Sequence, residues 1–501
     1  MAVRAAVRRS FYQDSIVLMG VAARLRGQPG VREAAALMGT PANRALLAAA
    51  GLAAPEVDDA APGDLVIAVE AESDAAATAA LAAAGAMLEE RSQASSRLRR
   101  PRTLEAARGA RPDANLAVIS VPGAYAALEA RTALRHGLNV FLFSDNVPLA
   151  EEVELKRLAA SRRLLCMGPD CGTAYLAGVG LGFANVVPRG RIGCVAASGT
   201  GLQAVVSRLA ALGEGVSHGI GVGGRDLSAE VGGTMTTLAL AALARDARTE
   251  AIVVISKPAA AAARPALEAA VRAAGKPVVV CCLGAAGAGA PGTWVSTLED
   301  AADAVVAQLC ASAWSPRAFS DPGGVRARAA ALGPARGTLL GLYTGGTLAH
   351  EAHLLLEPAL GPIGGNVGAG RAGHRILDLG ADELTVGRPH PMLDPEARAA
   401  RVREAARDGA VGVLLLDVVL GRGAHPDPAG VLAAAVRDAR QAAGRPLLAV
   451  ASVVGTEADP QRLSAQVDRL RAAGVEVLPS SAQAARFAAL ALRPELDPAS
   501  R

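Results

Sequence analysis

Hydrophobic and polar positions follow two different periods along this 501-residue chain, and the changes of period divide it. Over the first hundred residues, short apolar runs such as "VRRSFY" and "DLVIAVEA" read as strands, while "SIVLMGVAARLRGQPG" and "DAAATAALAAAGAMLEE" read as helices. This predicts a small α+β domain over residues 1–95. The polar, Arg-rich "RSQASSRLRRPRT" that follows reads as a linker. From Asn115, strand and helix signals alternate through "LAVISVPG", "NVFLFSDNVP" and "RLLCMGPDCG", the pattern of βαβ units and a parallel sheet. At residues 312–337 the periodicity dissolves into Pro, Gly and Ser before strands resume. The expected α/β segments are 105–188, 189–312 and 335–495.

The segments on either side of residues 312–337 repeat each other in element order and turn chemistry, with few identities. "CVAASGTGLQAV" matches "LGLYTGGTLAHEA", which sets Ser198-Gly199-Thr200 against Thr344-Gly345-Gly346-Thr347. Downstream, "GIGVGGRDLSAEVGG" matches "RILDLGADELTVGRPHP", "EAIVVISKP" matches "VGVLLLDVVLG", "KPVVVCCLG" matches "RPLLAVASVVG", and "WVSTLEDAADAV" matches "VEVLPSSAQAARFA". Each copy starts as an apolar strand, breaks at a small-residue turn and resumes at helical spacing, so each turn is a helix N-terminus. The first N–H groups of a helix lack internal partners and carry the positive end of its dipole, and glycine lets a ligand approach them. Ser198, Gly199, Thr200 and Gly201 in one copy, and Thr344, Gly345, Gly346 and Thr347 in the other, are therefore candidate anion ligands, with two doubly wound domains facing each other across one anion. The alternative is that Ser198 or Thr200 only caps its helix.

Composition adds exclusions. Half of the chain is hydrophobic but only 2% is aromatic, which suits Ala-rich helices on Val-rich parallel strands better than a β-sandwich. A formal charge of +4, with no basic cluster beyond "RLRRPR" at Arg97 to Arg102, argues against a nucleic-acid partner. No apolar run is long enough to span a membrane and no signal peptide is evident, so a cytoplasmic, membrane-free protein is expected. The six cysteines lack CxxC spacing and sit mostly in apolar runs; they are expected to be reduced, buried and inert, with no metal site. "AASGTG" is not the G-x-S-x-G elbow of a serine hydrolase, and "GIGVGG" at Gly219 to Gly224 reads better as a strand-end turn than as a dinucleotide fingerprint. His350 and His353 share one helix without an assignable carboxylate ligand, and read as packing residues.

The run from Leu116 to about Leu309 resembles the α subunit of succinyl-CoA synthetase, through "VISVPGAY", "MGPDCG", "IGCVAASGTGLQAV", "GIGVGGRD" and "TEAIVVISKP". The run from Leu339 to about Leu492 resembles the carboxyl-terminal ligase domain of its β subunit. Their fusion behind a small extra domain, with "GLYTGGTLAHEA" and "LDLGADELTVGRPHPMLDP", resembles the FdrA family. The resemblance implies a CoA-binding-like Rossmann domain followed by two flavodoxin-like ligase domains. It also implies that the helices starting at Ser198 and Thr347 aim at a phosphoryl or carboxylate group, and that Asp145, Asn146, Gly168, Pro169, Asp170 and Cys171 line a CoA-like crevice; as turn formers, these six need no function.

The departures are as informative. The synthetase carries a phosphorylated His in a Gly-His-Ala-Gly motif; here that stretch reads "AAGAGAPGTWVSTLEDAA", and no His occurs between His218 and His350. The acidic residue that orients that His falls in "ISKPAAA", the Gly-rich loop opening the CoA-binding domain is replaced by the amino-terminal unit, and no ATP-grasp or Walker A segment is found, so CoA and nucleotide are not expected cofactors. Phosphate is the expected substrate. The FdrA resemblance implies carbamoyl or acyl transfer of the oxamate carbamoyltransferase type, from oxalurate plus phosphate to oxamate plus carbamoyl phosphate, with partner subunits and possible oligomers. Arg225, Arg388 or Lys257 would neutralise a carboxylate, and His390, confined between two prolines beside Arg388, is the candidate general acid/base, or else a packed loop histidine. The alternatives are an NDP-forming acyl-CoA ligase subunit and a non-catalytic anion-binding scaffold.

Overall fold

The computed structural model describes residues 2–13, 15–96, 101–285, 287–368, 370, 373–385 and 389–497, and it divides into two compact units, Met1–Ala110 and Arg111–Arg501. In the first unit, the strands Ala2–Arg8 and Val31–Met38 flank Leu65–Ala71 in an antiparallel sheet. The central strand is apolar from Leu65 to Val69 because both its faces are covered there. Leu65, Ile67 and Val69 pack on Leu18, Val21 and Leu25 and on the alanines of the helix Asp74–Ser96, while Val66 and Ala68 pack on Leu47, Leu52 and Val57. This is the α+β domain that the pattern predicts. Of the basic "RLRRPR", Arg97 to Arg100 lie outside the described residues.

The second unit opens with three short parallel strands, Leu116–Ile119, Asn139–Leu142 and Cys166–Met167, side by side in that order. Two larger sheets follow, each with a parallel core. In the first, the order is Thr293–Trp294, Val278–Cys282, Ala251–Ser256, Arg189–Ala197, Val216–Gly221; in the second it is Glu476–Leu478, Leu448–Val454, Val411–Val419, Thr338–Tyr343, Arg375–Asp378. The two orders are the same, as the internal repeat implies. Val411–Val419 is buried over its whole length, which a parallel strand covered on both faces requires of its sequence.

One placement differs from the sequence expectation. The hairpin Thr173–Leu176 and Val179–Gly182 falls in the segment expected to be CoA-like, yet it pairs antiparallel with Val216–Gly221 of the next sheet. The cause is Tyr175, which is buried in the core of that sheet. This core is continuous across both ligase domains: Leu202, Val205 and Leu209 of the helix Gly199–Ala211 join Leu348, Ala352 and Leu356 of the helix Gly346–Leu360, with Phe487 beside them. Shared burial fixes the two helices relative to each other. Five cysteines are buried as expected, but Cys310 is exposed. Among the described residues, no helix is long and apolar enough to cross a membrane.

Candidate functional site

Both predicted turns are helix starts at the carboxyl end of a central strand, where ligands of open parallel sheets bind. Ser198 is the N-cap of Gly199–Ala211, and its Oγ accepts from Gly201 N at 2.8 Å. The capping role is therefore real. The same Oγ lies 2.5 Å from Thr347 Oγ1, so one hydrogen bond joins the first turn of each helix. Gly345 fits against Thr200: a Cβ there would fall 2.9 Å from Thr200 Oγ1.

The second start is built differently from the first. Its helix begins at Gly346 with Gly345 as N-cap, so Thr344 lies in the preceding turn and glycine offers no capping side chain. A neighbouring strand supplies the acceptor: Thr344 N and Gly345 N each donate at 2.8 Å to the carboxylate of Asp417, from Val411–Val419. Asp417 is in turn held by Arg398, whose guanidinium donates at 2.7 Å to both its Oδ1 and its carbonyl. A fully buried carboxylate needs such a partner. Three N–H groups of the expected anion cradle, those of Gly201, Thr344 and Gly345, are thus occupied by the protein. Those of Gly199, Thr200, Gly346 and Thr347 have no acceptor among the described residues.

Lys257 follows the strand Ala251–Ser256 and brings its ammonium to the second start, where a Cβ on Gly346 would lie 3.1 Å from Nζ. It has no ion-pair partner among the described residues. The same position on Gly346 also meets the carboxyl group of Asp378, the last residue of Arg375–Asp378. Loss of water pushes the Asp378 carboxyl up to about 6, against the opposing pull of Lys257. Loss of water, and next the Lys257 charge, hold His350 below the usual histidine value. His353 is buried on the same helix, and no group of three potential metal ligands exists among the described residues.

His390 packs against Gly380, two residues beyond Asp378, and its Nδ1 accepts from Met392 N at 3.2 Å. Burial pushes its imidazole down to about 4, with Asp145 opposing the shift, so the ring is neutral at pH 7 and its proton resides on Nε2. As a neutral ring it can donate a hydrogen bond, but it is poorly matched to act as a cationic acid near neutrality. Arg388 lies outside the described residues. Arg225 is placed away from the helix starts: its guanidinium donates to Glu152 and to the Val147 carbonyl, both at 2.7 Å, and so ties the three-stranded segment to the first ligase domain. Beside it, the buried Lys156 joins Glu152 to Asp226.

Asp145, Asn146, Gly168, Pro169 and Asp170 do gather at the carboxyl ends of the three short strands. Ser144 Oγ donates to Val121 O at 2.5 Å and Asp170 N donates to Ser144 O at 2.9 Å, which joins the loops into one rim. Asn146 and Asp170 take left-handed backbone angles. Gly123, which starts the neighbouring helix, is covered closely by the Asp145–Asn146 backbone. Cys171 turns inward to carbonyls, and burial pushes its thiol up to about 12, so it is inert. The residues that sequence reasoning missed are Asp378, Asp417 and Arg398. Their signal was available: "LLLDVVL" and "RILDLG" each hold a carboxylate inside an otherwise apolar strand, where an unpaired charge would be prohibitive.

Comparison with known proteins fits this geometry. Residues 342–491 match the CoA-ligase family, and residues 1–103 match the heavy metal-associated domain of AllF. Residues 1–103 contain neither Cys nor His, the thiolate and imidazole ligands of transition-metal sites. The uncharacterized protein YahF of Escherichia coli is 39% identical over 96% of this chain and 97% of its own length. The succinate–CoA ligase [ADP-forming] subunit alpha of Staphylococcus epidermidis is 30% identical over 29% of this chain, which spans about half (48%) of that relative. The solved acetyl-coenzyme A synthetase 1 of Ca. Korarchaeum cryptofilum is 16% identical, over 75% of this chain and 82% of its own, with a TM-score of 0.30. The chain belongs to the family of YahF, and it has a succinyl-CoA synthetase-like CoA-ligase fold.

Proposed function

We propose that this chain is a ligase-type enzyme subunit that receives a phosphoryl or acyl-phosphate group at its paired helix starts and works with partner chains. The contact of Ser198 Oγ with Thr347 Oγ1 carries this reading, because it brings four unoccupied N–H groups and the Lys257 ammonium to one place. N–H groups at helix starts with a cation beside them suit an anion in a partly dehydrated site. The likeness to CoA-ligases favours NDP-forming acyl-CoA ligation of the succinyl-CoA type. With no His between His218 and His350, a partner would supply the phosphorylated residue as well as the nucleotide site.

A second reading is carbamoyl transfer of the FdrA type, favoured by that same missing His. Phosphate attack on the ureido carbonyl of oxalurate forms the new P–O–C bond and expels oxamate, whose nitrogen takes up the proton. No covalent enzyme intermediate is needed, only two anions held in register and cations to offset their charge. Lys257 and the helix starts would hold phosphate, and His390 Nε2–H would donate to the developing oxyanion.

One experiment separates the readings. The protein, alone and with the proteins encoded beside it, is assayed for nucleotide-dependent thioester formation from CoA and for phosphate-dependent carbamoyl phosphate formation from oxalurate. A Ser198→Ala/Thr347→Ala variant serves as control. Thioester formation lost in the control supports the ligase reading; carbamoyl phosphate formation lost in the control supports the second. Turnover that survives the control removes the paired helix starts from the chemistry, and no turnover in any combination leaves the anion-binding scaffold.

A further inference from the structure

This inference deepens the anion reading of the same site and rests on it. A carboxylate beside an anion site is repulsive when ionised, and Asp378 is such a group. It is 8% exposed; its Oδ1 accepts from Gly380 N at 3.0 Å, and its backbone is pinned on both sides by Asn366 at 2.8 Å. Its Oδ2, by contrast, has no hydrogen-bond partner among the described residues and faces Gly346 on the same side as Lys257 Nζ, so that a side chain at Gly346 would meet both groups. A carboxyl oxygen that no protein donor holds, beside a cation and a helix start with unoccupied N–H groups, has a ligand as its natural complement.

We infer that Asp378 serves this site as a carboxylic acid: its protonated Oδ2 donates a hydrogen bond to one oxygen of the bound anion while Lys257 holds another, so that each anion is bound together with one proton from solvent.

The surroundings are consistent with that role. Lys257 favours the ionised form, whereas Asp417 from the neighbouring strand Val411–Val419 and Glu383 from the helix Asp382–Thr385 oppose it. Burial outweighs them, and an anion in contact adds to the opposition. His350 and His390 stand near the site too; loss of water lowers both imidazoles below the ordinary histidine value, His390 to about 4. Asn366 is a positioning residue, holding Asp378 through the main chain alone.

The test uses inorganic sulfate, whose charge is constant between about pH 5.5 and 8.5, bound to the full chain and followed by calorimetry in buffers of different ionisation enthalpy. The expected result is proton uptake approaching one per sulfate, with affinity falling toward tenfold per pH unit on the alkaline side. Asp378→Asn keeps the acceptor for Gly380 N and places a non-titrating donor where Oδ2 stood; its affinity should be level across the range. Lys257→Ala should weaken sulfate at every pH and keep the slope. Sulfate binding without proton uptake in the unmodified protein, or a slope that persists in Asp378→Asn, overturns the inference and leaves the anion site standing. Absence of sulfate binding at every pH overturns the anion reading and this inference with it. The proton-uptake measurement needs no variant, so it decides the matter even if Asp378→Asn is unstable.

Discussion

The two ligase-type domains have one strand order and two ways of building the same helix start. In the first, Ser198 follows Arg189–Ala197 and caps its own helix. The flanking strands place Ser256 opposite Ala197, with Val222 just past Gly221, which pairs with Ala196. In the second, Tyr343 precedes the turn. Asp378 is opposite it, and Asp417 is one step past Leu416, which pairs with Leu342. A hydroxyl and an alkyl group in one copy thus correspond to two carboxylates in the other. The difference follows from the cap: Ser198 brings its own acceptor, whereas Gly345 has none and borrows Asp417, which then requires Arg398. Repetition conserved the frame while the charge collected on one side, and the chemistry with it.

This comparison can be broken most severely at Arg398. It is 2% exposed and holds Asp417 through Nη1, so Arg398→Ala should cost about 3–5 kcal/mol in urea unfolding by stranding a buried carboxylate. A double change, Asp417→Ser with Arg398→Met, makes the second copy resemble the first and should cost less than either change alone. A loss under about 1 kcal/mol for Arg398→Ala would mean that the borrowed cap is dispensable.

Next in size is the seam between the copies, where Glu351 of the second domain's helix accepts from Leu298 N of the first at 2.8 Å. Burial pushes its carboxyl up to about 7, against an ordinary value of about 4.3, with Arg486 opposing and Glu299 reinforcing the shift. The folded chain therefore keeps a proton that the unfolded chain has released between these values. Stability from this group is complete below about pH 4.3 and is lost as pH rises through about 7, by at most about 4 kcal/mol. Glu351→Gln should flatten that slope; an unchanged slope would assign it to another group.

The smallest effect is expected at the self-capped start. Ser198→Ala removes a cap worth about 1 kcal/mol, and Thr347→Ala, which caps nothing, should cost less in thermal unfolding. Equal losses would mean that the hydroxyl pair, rather than the cap, stabilises the first copy.

Much of this was legible in the residues. That the two sheets share one strand order followed from matching "CVAASG" to "LGLYTG" and each successor in turn, because parallel strands buried on both faces must be apolar, and their turns must be small. The meeting of Ser198 with Thr347 was expected from the repeat together with the resemblance. Arg225 illustrates the limit: it follows the "GIGVGG" strand, but its guanidinium is taken by Glu152, distant in sequence. His390 illustrates another. Its neighbouring prolines were visible, but not the enclosure by Phe183 and Gly380 that holds the imidazole neutral. The hairpin at Thr173–Gly182 looked the same in either neighbouring domain, since alternation does not say which sheet edge a strand will join.

The sequence by itself determined the α/β class, the internal repeat and the two small-residue turns, since hydrophobic period and turn chemistry are local and each is written in consecutive residues. Tertiary structure alone decided which turn N–H groups stay unoccupied, that Lys257 and Asp378 meet on one side of Gly346, and that Asp417 is spent on capping. Those outcomes depend on side chains from separate strands competing for the same few donors, and on how much water each keeps, which no local pattern encodes.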